Sequence, residues 1–112
     1  MALAMIHSLR LTSLDPSPQK AKKWQATFSF IDGNKHKIRR VSFGAKNYED
    51  FTTHHDVNRR TSYRKRHAND LLHRERGMLY WTQPGVLAMH LLWGDTVDLQ
   101  VNLRRYQRMI SE

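Results

Sequence analysis

The sequence predicts a small α+β domain in which a β-hairpin packs on about three helices, preceded by an N-terminal arm. Apolar residues alternate with polar ones ahead of an Asp-Gly pair, apolar residues at helical spacing fill the C-terminal half, and prolines separate the first residues from the rest. With 112 residues, the chain can bury one modest core. We therefore expect an arm with a proline hinge over residues 1–18 and a single α+β domain over residues 19–112.

The segment before the prolines is apolar in places but short. It lacks the length of a membrane span and the basic residues that begin a signal peptide. Asp15-Pro16-Ser17-Pro18 then interrupts regular structure, because each proline fixes φ and disfavours helix in the residue before it. Ile6, Leu9 and Leu11 need apolar cover, which either a first strand or an arm docked on a partner would provide. We choose the docked arm.

A hairpin is predicted next. Every second residue from 24 to 30 is apolar, which is the period of a half-buried strand. Asp32-Gly33 is a hairpin turn signal, and the return strand follows it. Ile38 and Val41 are three positions apart, so a regular strand would place their side chains on opposite faces of the sheet. We therefore expect a bulge near Arg39-Arg40 that places both on the apolar face.

Three helices are predicted after the hairpin. The first covers residues 57–69, with Asp56 as its N-cap or first-turn acid. The second begins near Pro84 and is apolar nearly all round, so it should be buried until Gly94 ends it. The third follows a cap at Asp95-Thr96 and places its apolar residues on one face.

The composition restricts the function more than it identifies it. The net charge of +9 arises from 19 Lys and Arg against 10 Asp and Glu. The electrostatic field of this net charge attracts phosphates, acidic protein surfaces or anionic lipid, and the charge alone does not distinguish among these partners. The absence of cysteine excludes disulfides, thiol catalysis and cysteine-based zinc sites.

The stretch NYEDFTTHHDVNRRTSYRKRH, residues 47–67, concentrates acids, histidines and basic residues. On the predicted helix it forms two adjacent rows: Arg59, Tyr63 and Arg66, then Arg60, Arg64 and His67. Two basic rows beside an aromatic ring are typical of a surface that grips phosphates and stacks on a base. The structural alternative is that Asp56 pairs with Arg59 or Arg60 while Tyr63 packs into the core. Both interpretations stay open at this point.

Metal and enzyme chemistry are not favoured in this stretch. His54, Asp56 and His67 are metal ligands by type, but their spacing does not force them together and the neighbouring arginines oppose a dication. The sequence supplies no matched nucleophile and no Gly-rich phosphate cradle. We expect no enzyme, no metal or other cofactor and no small-molecule substrate.

Residues 43–67 follow the pattern FG-x3-Y-x-D-[YF]-T-x-H-x-D-x2-R-x3-Y-x2-RH. The matching residues are Phe43-Gly44, Tyr48, Asp50-Phe51-Thr52, His54, Asp56, Arg59, Tyr63 and Arg66-His67. This pattern resembles that of a short uncharacterised family found in nucleocytoplasmic large DNA viruses and some algae. Pro84-Gly85 to Leu91-Leu92-Trp93-Gly94 is similar to the family's second block. The family has no established reaction; the resemblance implies a small basic protein made in host-cell cytoplasm by a large DNA virus.

Two functions of different classes compete within that context. In the first, the chain is a minor structural protein of the virion that bridges neighbouring shell proteins in a multi-copy assembly. In the second, it is an accessory nucleic-acid-binding protein that neutralises packaged DNA. We favour the first, because the arm is apolar and the segment from Trp81 to Trp93 holds many large apolar residues for so small a core. A membrane surface stays open as a further partner.

These hypotheses define the candidate residues. Partner binding is assigned to Ile6, Leu9, Leu11, Arg64, Lys65, Arg74, Arg76 and Trp81. A structural motif that fixes how helix and hairpin meet is assigned to Tyr48, Asp50, His54, Asp56, Arg59, Arg60, Tyr63, Arg66, His67 and Trp93. The nucleic-acid alternative uses Arg60, Arg64, Lys65, Lys37 and Arg39.

Overall fold

A computed structural model describes residues 6–111, and for residues 74–76 it describes the backbone only. Three antiparallel strands come first and lie in chain order across one sheet: β1 (Ile6–Pro16), β2 (Lys22–Asp32) and β3 (Lys35–Ala45). The helices that follow are α1 (Phe51–His54), α2 (Val57–Arg66), α3 (Pro84–Leu87) and α4 (Leu99–Ser111). Segments of 3₁₀ helix cover Ala68–Leu71 and Arg74–Thr82, the second of them interrupted at Gly77, and a π-helical turn covers Ala88–Leu92. The predicted α+β class is confirmed.

The β2–β3 hairpin is regular along its whole length. Its register runs without interruption from the Asp32–Lys35 pair at the turn to the Lys22–Ala45 pair at the other end. The bulge predicted near Arg39-Arg40 is therefore wrong. Ile38 differs in parity from Val41 because Ile38 lies on the opposite face of the sheet, where 63% of its surface is exposed.

The first residues do not form a separate arm. Residues 6–16 pair with β2 as an edge strand, with register shifts between His7 and Arg10 and between Leu11 and Ser13. Leu9 and Leu11 are only 2% and 3% exposed, so they are part of the core and not a surface for a partner. The prediction of an arm and hinge over residues 1–18 is corrected for this segment, and residues 1–5 lie outside the described part. The open edge of β2 offers backbone hydrogen bonds and apolar cover together, which docking of an arm elsewhere would not.

The core lies between one face of the sheet and the helices that follow residue 84. Its sheet side includes Leu11, Ala26, Phe28 and Phe43, and its helix side includes Val86, Leu87, Leu91, Tyr106 and Ile110. Pro84 stands in the first turn of α3, and residues 86–89 and 91–93 are buried, so the predicted burial of this segment is confirmed. None of the helices within residues 6–111 has the length and apolar character that crossing a bilayer requires.

The last helix starts later than predicted. The Asp98 carboxylate accepts the backbone N–H groups of Gln100 and Val101 at 2.9 and 3.2 Å and so caps α4. Asp95, which was expected to contribute to this cap, instead pairs with Arg60. Tyr106 and Ile110 are buried along the predicted apolar face of the helix.

Candidate functional site

Each of the two short helices that follow the sheet begins at an aspartate. Asp50 caps α1 and Asp56 caps α2, where the Asp56 carboxylate accepts the N–H groups of Asn58 and Arg59 at 2.9 and 3.1 Å. The predicted N-cap is confirmed. The predicted pairing of Asp56 with the side chain of Arg59 or Arg60 is wrong, because this carboxylate is directed to the backbone of its own helix.

The two arginines of the second basic row, Arg60 and Arg64, bond to the end of the neighbouring helical segment. Arg60 donates from Nε to the Gly94 carbonyl at 2.6 Å and pairs through Nη2 with Asp95 at 2.8 Å. Arg64 donates from Nη1 to the Trp93 carbonyl at 2.9 Å. These carbonyls lie where the helical segment of residues 84–92 ends and its last C=O groups lack intrahelical donors. Arg60 and Arg64 are thus engaged inside the chain, which corrects their assignment to nucleic acid or partner binding.

We expect Arg64→Ala to lower the free energy of unfolding by about 1 to 3 kcal/mol, because the part-buried Trp93 carbonyl loses a charged donor. Lys65→Ala is the matched control, since Lys65 is the next residue, is exposed and should change stability by less than about 0.5 kcal/mol. Urea denaturation of both variants measures the difference. Equal midpoints for the two variants would contradict the role given to Arg64.

The first basic row of α2, which consists of Arg59, Tyr63 and Arg66, lines a cleft of about 660 Å³ between α2 and the residues that follow β3. The walls of this cleft include Tyr48, Glu49 and Asp50 on one side and Asn58, Arg59, Ser62, Tyr63, Arg66 and His67 on the other. Lys23, Gly44, Leu92 and Trp93 also line it. The cleft thus brings together most of the residues of the sequence motif, although the family pattern alone did not indicate a cavity.

Four aromatic side chains form a column beside this cleft. His67 stacks on Tyr63 with ring centroids 4.1 Å apart, and Tyr63 stacks on Trp93 at 4.1 Å with planes inclined by only 6°. His54 follows Trp93 at 5.2 Å in a tilted arrangement. Burial, reinforced by the Asp70 carboxylate, raises the pKa of Tyr63 above its ordinary value. Both faces of Tyr63 are covered, so its ring is part of the packing and is not a stacking platform.

The base of the cleft depends on Asp50 and Gly44. Lys23 Nζ lies 2.6 Å from the Asp50 carboxylate, whose side chain is 4% exposed. Gly44 has φ of +80°, and a Cβ there would lie 2.8 Å from Leu92 Cδ1. A glycine at this position therefore lets β3 approach the helical segment closely.

The histidines that the sequence offered as metal ligands have other contacts. His54 Nδ1 accepts the backbone N–H of Asp56 at 2.8 Å, and His67 Nδ1 lies 3.4 Å from the Asp70 carboxylate. Within residues 6–111 there is no group of three His, Asp or Glu side chains placed to hold a metal ion.

The other predicted residues lie at scattered places. Ile6 and Trp81 are partly buried against the core, Lys65 is exposed, and the side chains of Arg74 and Arg76 lie outside the described part. On the hairpin, Lys37 lies 3.0 Å from the Asp32 carboxylate, and Arg39 is exposed. The residues predicted to bind nucleic acid do not form one surface, because Arg60 and Arg64 bond carbonyls of the chain while Lys37 and Arg39 lie on β3.

The alternation in β2 predicts a polar face of the sheet opposite the core, but no candidate site was assigned to that face from the sequence. The register places Arg10, Ser29 and Ile38 in one row across it, and Thr27 and Arg40 in the next. No residue of this face is buried, so none of the helices within residues 6–111 covers it. Arg40 and Ile38 are two positions apart, and this spacing alone places them on the same face of a regular strand. The predicted bulge near Arg39-Arg40 concealed this relation.

A family model described as a family of unknown function (DUF5754) matches residues 12–67, which is half of the chain. The chain belongs to this family. The matched segment extends from within β1 to the end of α2 and contains the hairpin, both aspartate caps and most of the cleft wall. No curated protein and no solved structure matches the chain.

Proposed function

We propose that this protein binds nucleic acid, with the open face of its sheet as the principal surface. The excess of unpaired cations supports this proposal. Of 19 Lys and Arg in the chain, only Lys23, Lys37, Arg59 and Arg60 form ion pairs within the described part. Cations that lack a carboxylate partner and face water are available to replace the counterions of a phosphate backbone.

The open face has dimensions that suit a nucleic-acid groove. Each strand has 11 residues and is about 36 Å long at the usual rise per residue. The major groove of B-DNA is about 12 Å wide and admits a ribbon of two strands. Two neighbouring strands of the open face can therefore enter the groove, with the third strand beside the phosphate backbone.

The side chains of this face are of the types that contact DNA. Arg10 and Arg40 come from the two outer strands and flank hydroxyl groups of β2 at Thr27 and Ser29. Arginine reaches phosphates or guanine edges, hydroxyls bond either, and an exposed apolar residue such as Ile38 contacts a thymine methyl.

The shell-bridging hypothesis has less support than the sequence suggested. It rested on an apolar arm and on an excess of apolar residues near Trp81 to Trp93. Leu9 and Leu11 lie in the chain's own core, and residues 86–89 and 91–93 form its helix side. A virion protein made in the host cytoplasm therefore stays a prediction of the family resemblance, and nucleic-acid binding is the function we propose.

Duplex-DNA affinity measured by fluorescence anisotropy at rising salt tests the proposal. Between roughly 50 and 200 mM salt, the binding constant should fall steeply, because each phosphate contact contributes about −0.9 to the log–log slope. Arg10→Ala combined with Arg40→Ala should weaken binding and make that slope shallower by about 2.

The matched control removes the same charge from another surface. Arg104 and Arg108 are exposed on α4, which packs against the core side of the sheet. Their double alanine variant should keep most of the affinity and the slope. Equal losses for the two double variants would show attraction by net charge alone, and negligible binding by the wild type at 150 mM salt, the physiological range, would overturn the proposed function.

A further inference from the structure

The cleft beside α2 has the size and the mixed lining of a small-ligand site. Its volume of about 660 Å³ lies within the range of such sites, roughly 300 to 1,000 Å³. Apolar groups at Ala88, Leu92 and Trp93 line one part of it, and charged and neutral polar side chains line the rest. The open face of the sheet is a different surface, so what this cleft binds is a separate question.

The cleft presents aromatic rings that are free to stack. Tyr63 and Trp93 cover each other and are not available. Tyr48 is 75% exposed, and it makes no ring contact with another aromatic residue in the described part of the chain. His67 ends the aromatic column, and its side chain is 43% exposed. A planar heterocycle placed here would extend the column at His67 or lie against Tyr48.

The charges of the lining favour an anion. Asp50 is neutralised by Lys23 at 2.6 Å, so its carboxylate does not repel a ligand. Glu49 lies 3.8 Å from Arg59, and both side chains are more than half exposed. An ion pair that is this exposed contributes little free energy, so an anionic ligand can replace Glu49 at Arg59. Arg66 forms no ion pair within residues 6–111 and is exposed. The two carboxylates of the cleft are paired with Lys23 and Arg59, so Arg66 adds a net positive charge at the mouth of the cleft.

The two arginines that line the cleft project from different levels of the same helix. Arg59 and Arg66 are seven positions apart on α2, which corresponds to about 10 Å along the helix axis. The Ser62 hydroxyl lies between them along the helix, and the Asn58 amide lies next to Arg59; both line the cleft and make no side-chain hydrogen bond within the described part. A cation, a neutral hydrogen-bonding group and a second cation along α2 match phosphate, base and phosphate along a single strand.

We propose that the cleft binds one unstacked nucleotide of a single-stranded nucleic acid, with its base on Tyr48 and its two flanking phosphates at Arg59 and Arg66. This inference goes beyond duplex binding by the sheet and does not depend on it. An amide and a hydroxyl can bond the edge of a splayed-out base, and an aromatic face stacks on any base, which is how unpaired strands are recognised. Glu49 moves from Arg59 to solvent when a phosphate replaces it.

Isothermal titration calorimetry with thymidine 3′,5′-bisphosphate tests this site, with thymidine 5′-monophosphate, thymidine and inorganic phosphate as comparisons. The bisphosphate should bind best and inorganic phosphate least. Tyr48→Ala should weaken the bisphosphate about tenfold, while Tyr48→Phe, which keeps the ring, should retain most of the affinity.

A pair of neighbouring residues supplies the charge control. Arg66→Ala should reduce the affinity for the bisphosphate about tenfold and leave thymidine unchanged, whereas Lys65→Ala, which removes the same charge beside the cleft, should have little effect. The proposal is overturned if inorganic phosphate binds as well as the bisphosphate, if Arg66→Ala and Lys65→Ala are equal, or if nothing binds at about 1 mM. Nucleotide binding without duplex binding would retain the cleft and reject the sheet surface, and the reverse result would reject the cleft alone.

Discussion

Replacing Tyr106 with alanine should lower the free energy of unfolding by about 3 to 5 kcal/mol, the usual cost of deleting a buried aromatic ring. Tyr106 has no exposed surface and lies in the core. It contacts the Trp81 ring edge-on at 5.6 Å and donates its hydroxyl hydrogen bond to the Trp81 carbonyl. Urea denaturation followed by fluorescence measures the loss, and a midpoint equal to that of the wild type would show that this ring is not part of the core.

The phenylalanine variant separates the hydroxyl from the ring. Tyr106→Phe should cost about 1 to 3 kcal/mol, because the hydrogen bond from the Tyr106 hydroxyl to the Trp81 carbonyl is lost. Burial raises the pKa of Tyr106 above its ordinary value of 10.0, so the folded state favours the neutral phenol. This contribution to stability is complete below pH 10 and is lost progressively as the pH rises further. The wild type should therefore lose stability above pH 10 faster than Tyr106→Phe, and parallel losses would contradict the assignment to Tyr106.

Asp50→Ala should also lower the free energy of unfolding by about 3 to 5 kcal/mol, because it leaves the part-buried Lys23 ammonium without its partner. The carboxylate has a second task, since it accepts the Thr52 N–H at 2.8 Å and caps α1. Asp50→Asn is the informative control. An asparagine can still cap the helix but cannot neutralise Lys23, so we expect an intermediate loss.

The stability of Asp50→Asn in urea distinguishes the two roles of Asp50, which are pairing with Lys23 and capping α1. If Asp50→Asn is as stable as the wild type in urea, the ion pair contributes nothing and the cap alone explains the effect. If it is as unstable as Asp50→Ala, the charge dominates. A wild-type midpoint for Asp50→Ala would contradict the structure of the cleft base, because Asp50 would then have to be solvated.

Most of the local structure was predictable, and the errors share a cause. The hairpin, the Asp56 cap and the buried helix after Pro84 follow from patterns within a few residues of each other. The cap of α4 was placed too early because Asp95 and Asp98 are equally suitable by type. Only Arg60, which reaches Asp95 from a helix 35 positions away, decides between them.

The candidate sites were predicted less well for the same reason. Arg60 and Arg64 looked equivalent to Arg59 and Arg66 in sequence, since all four project from one helix. The segment that packs beside α2 engages the first two through its terminal carbonyls and leaves the other two at an open cleft. No periodicity along a single helix can show which of its faces a distant segment covers.

By itself, the sequence determined the fold class, the turn of the hairpin and the positive charge, because backbone preferences, alternation and net charge are local or additive properties. Tertiary structure alone decided that residues 6–16 pair as a strand, that Arg60 and Arg64 bond carbonyls of the chain, and that most motif residues line a cleft. Each of these depends on which segments meet. A chain of 112 residues leaves that choice to the free energy of burying its apolar surface and satisfying its backbone groups at the same time.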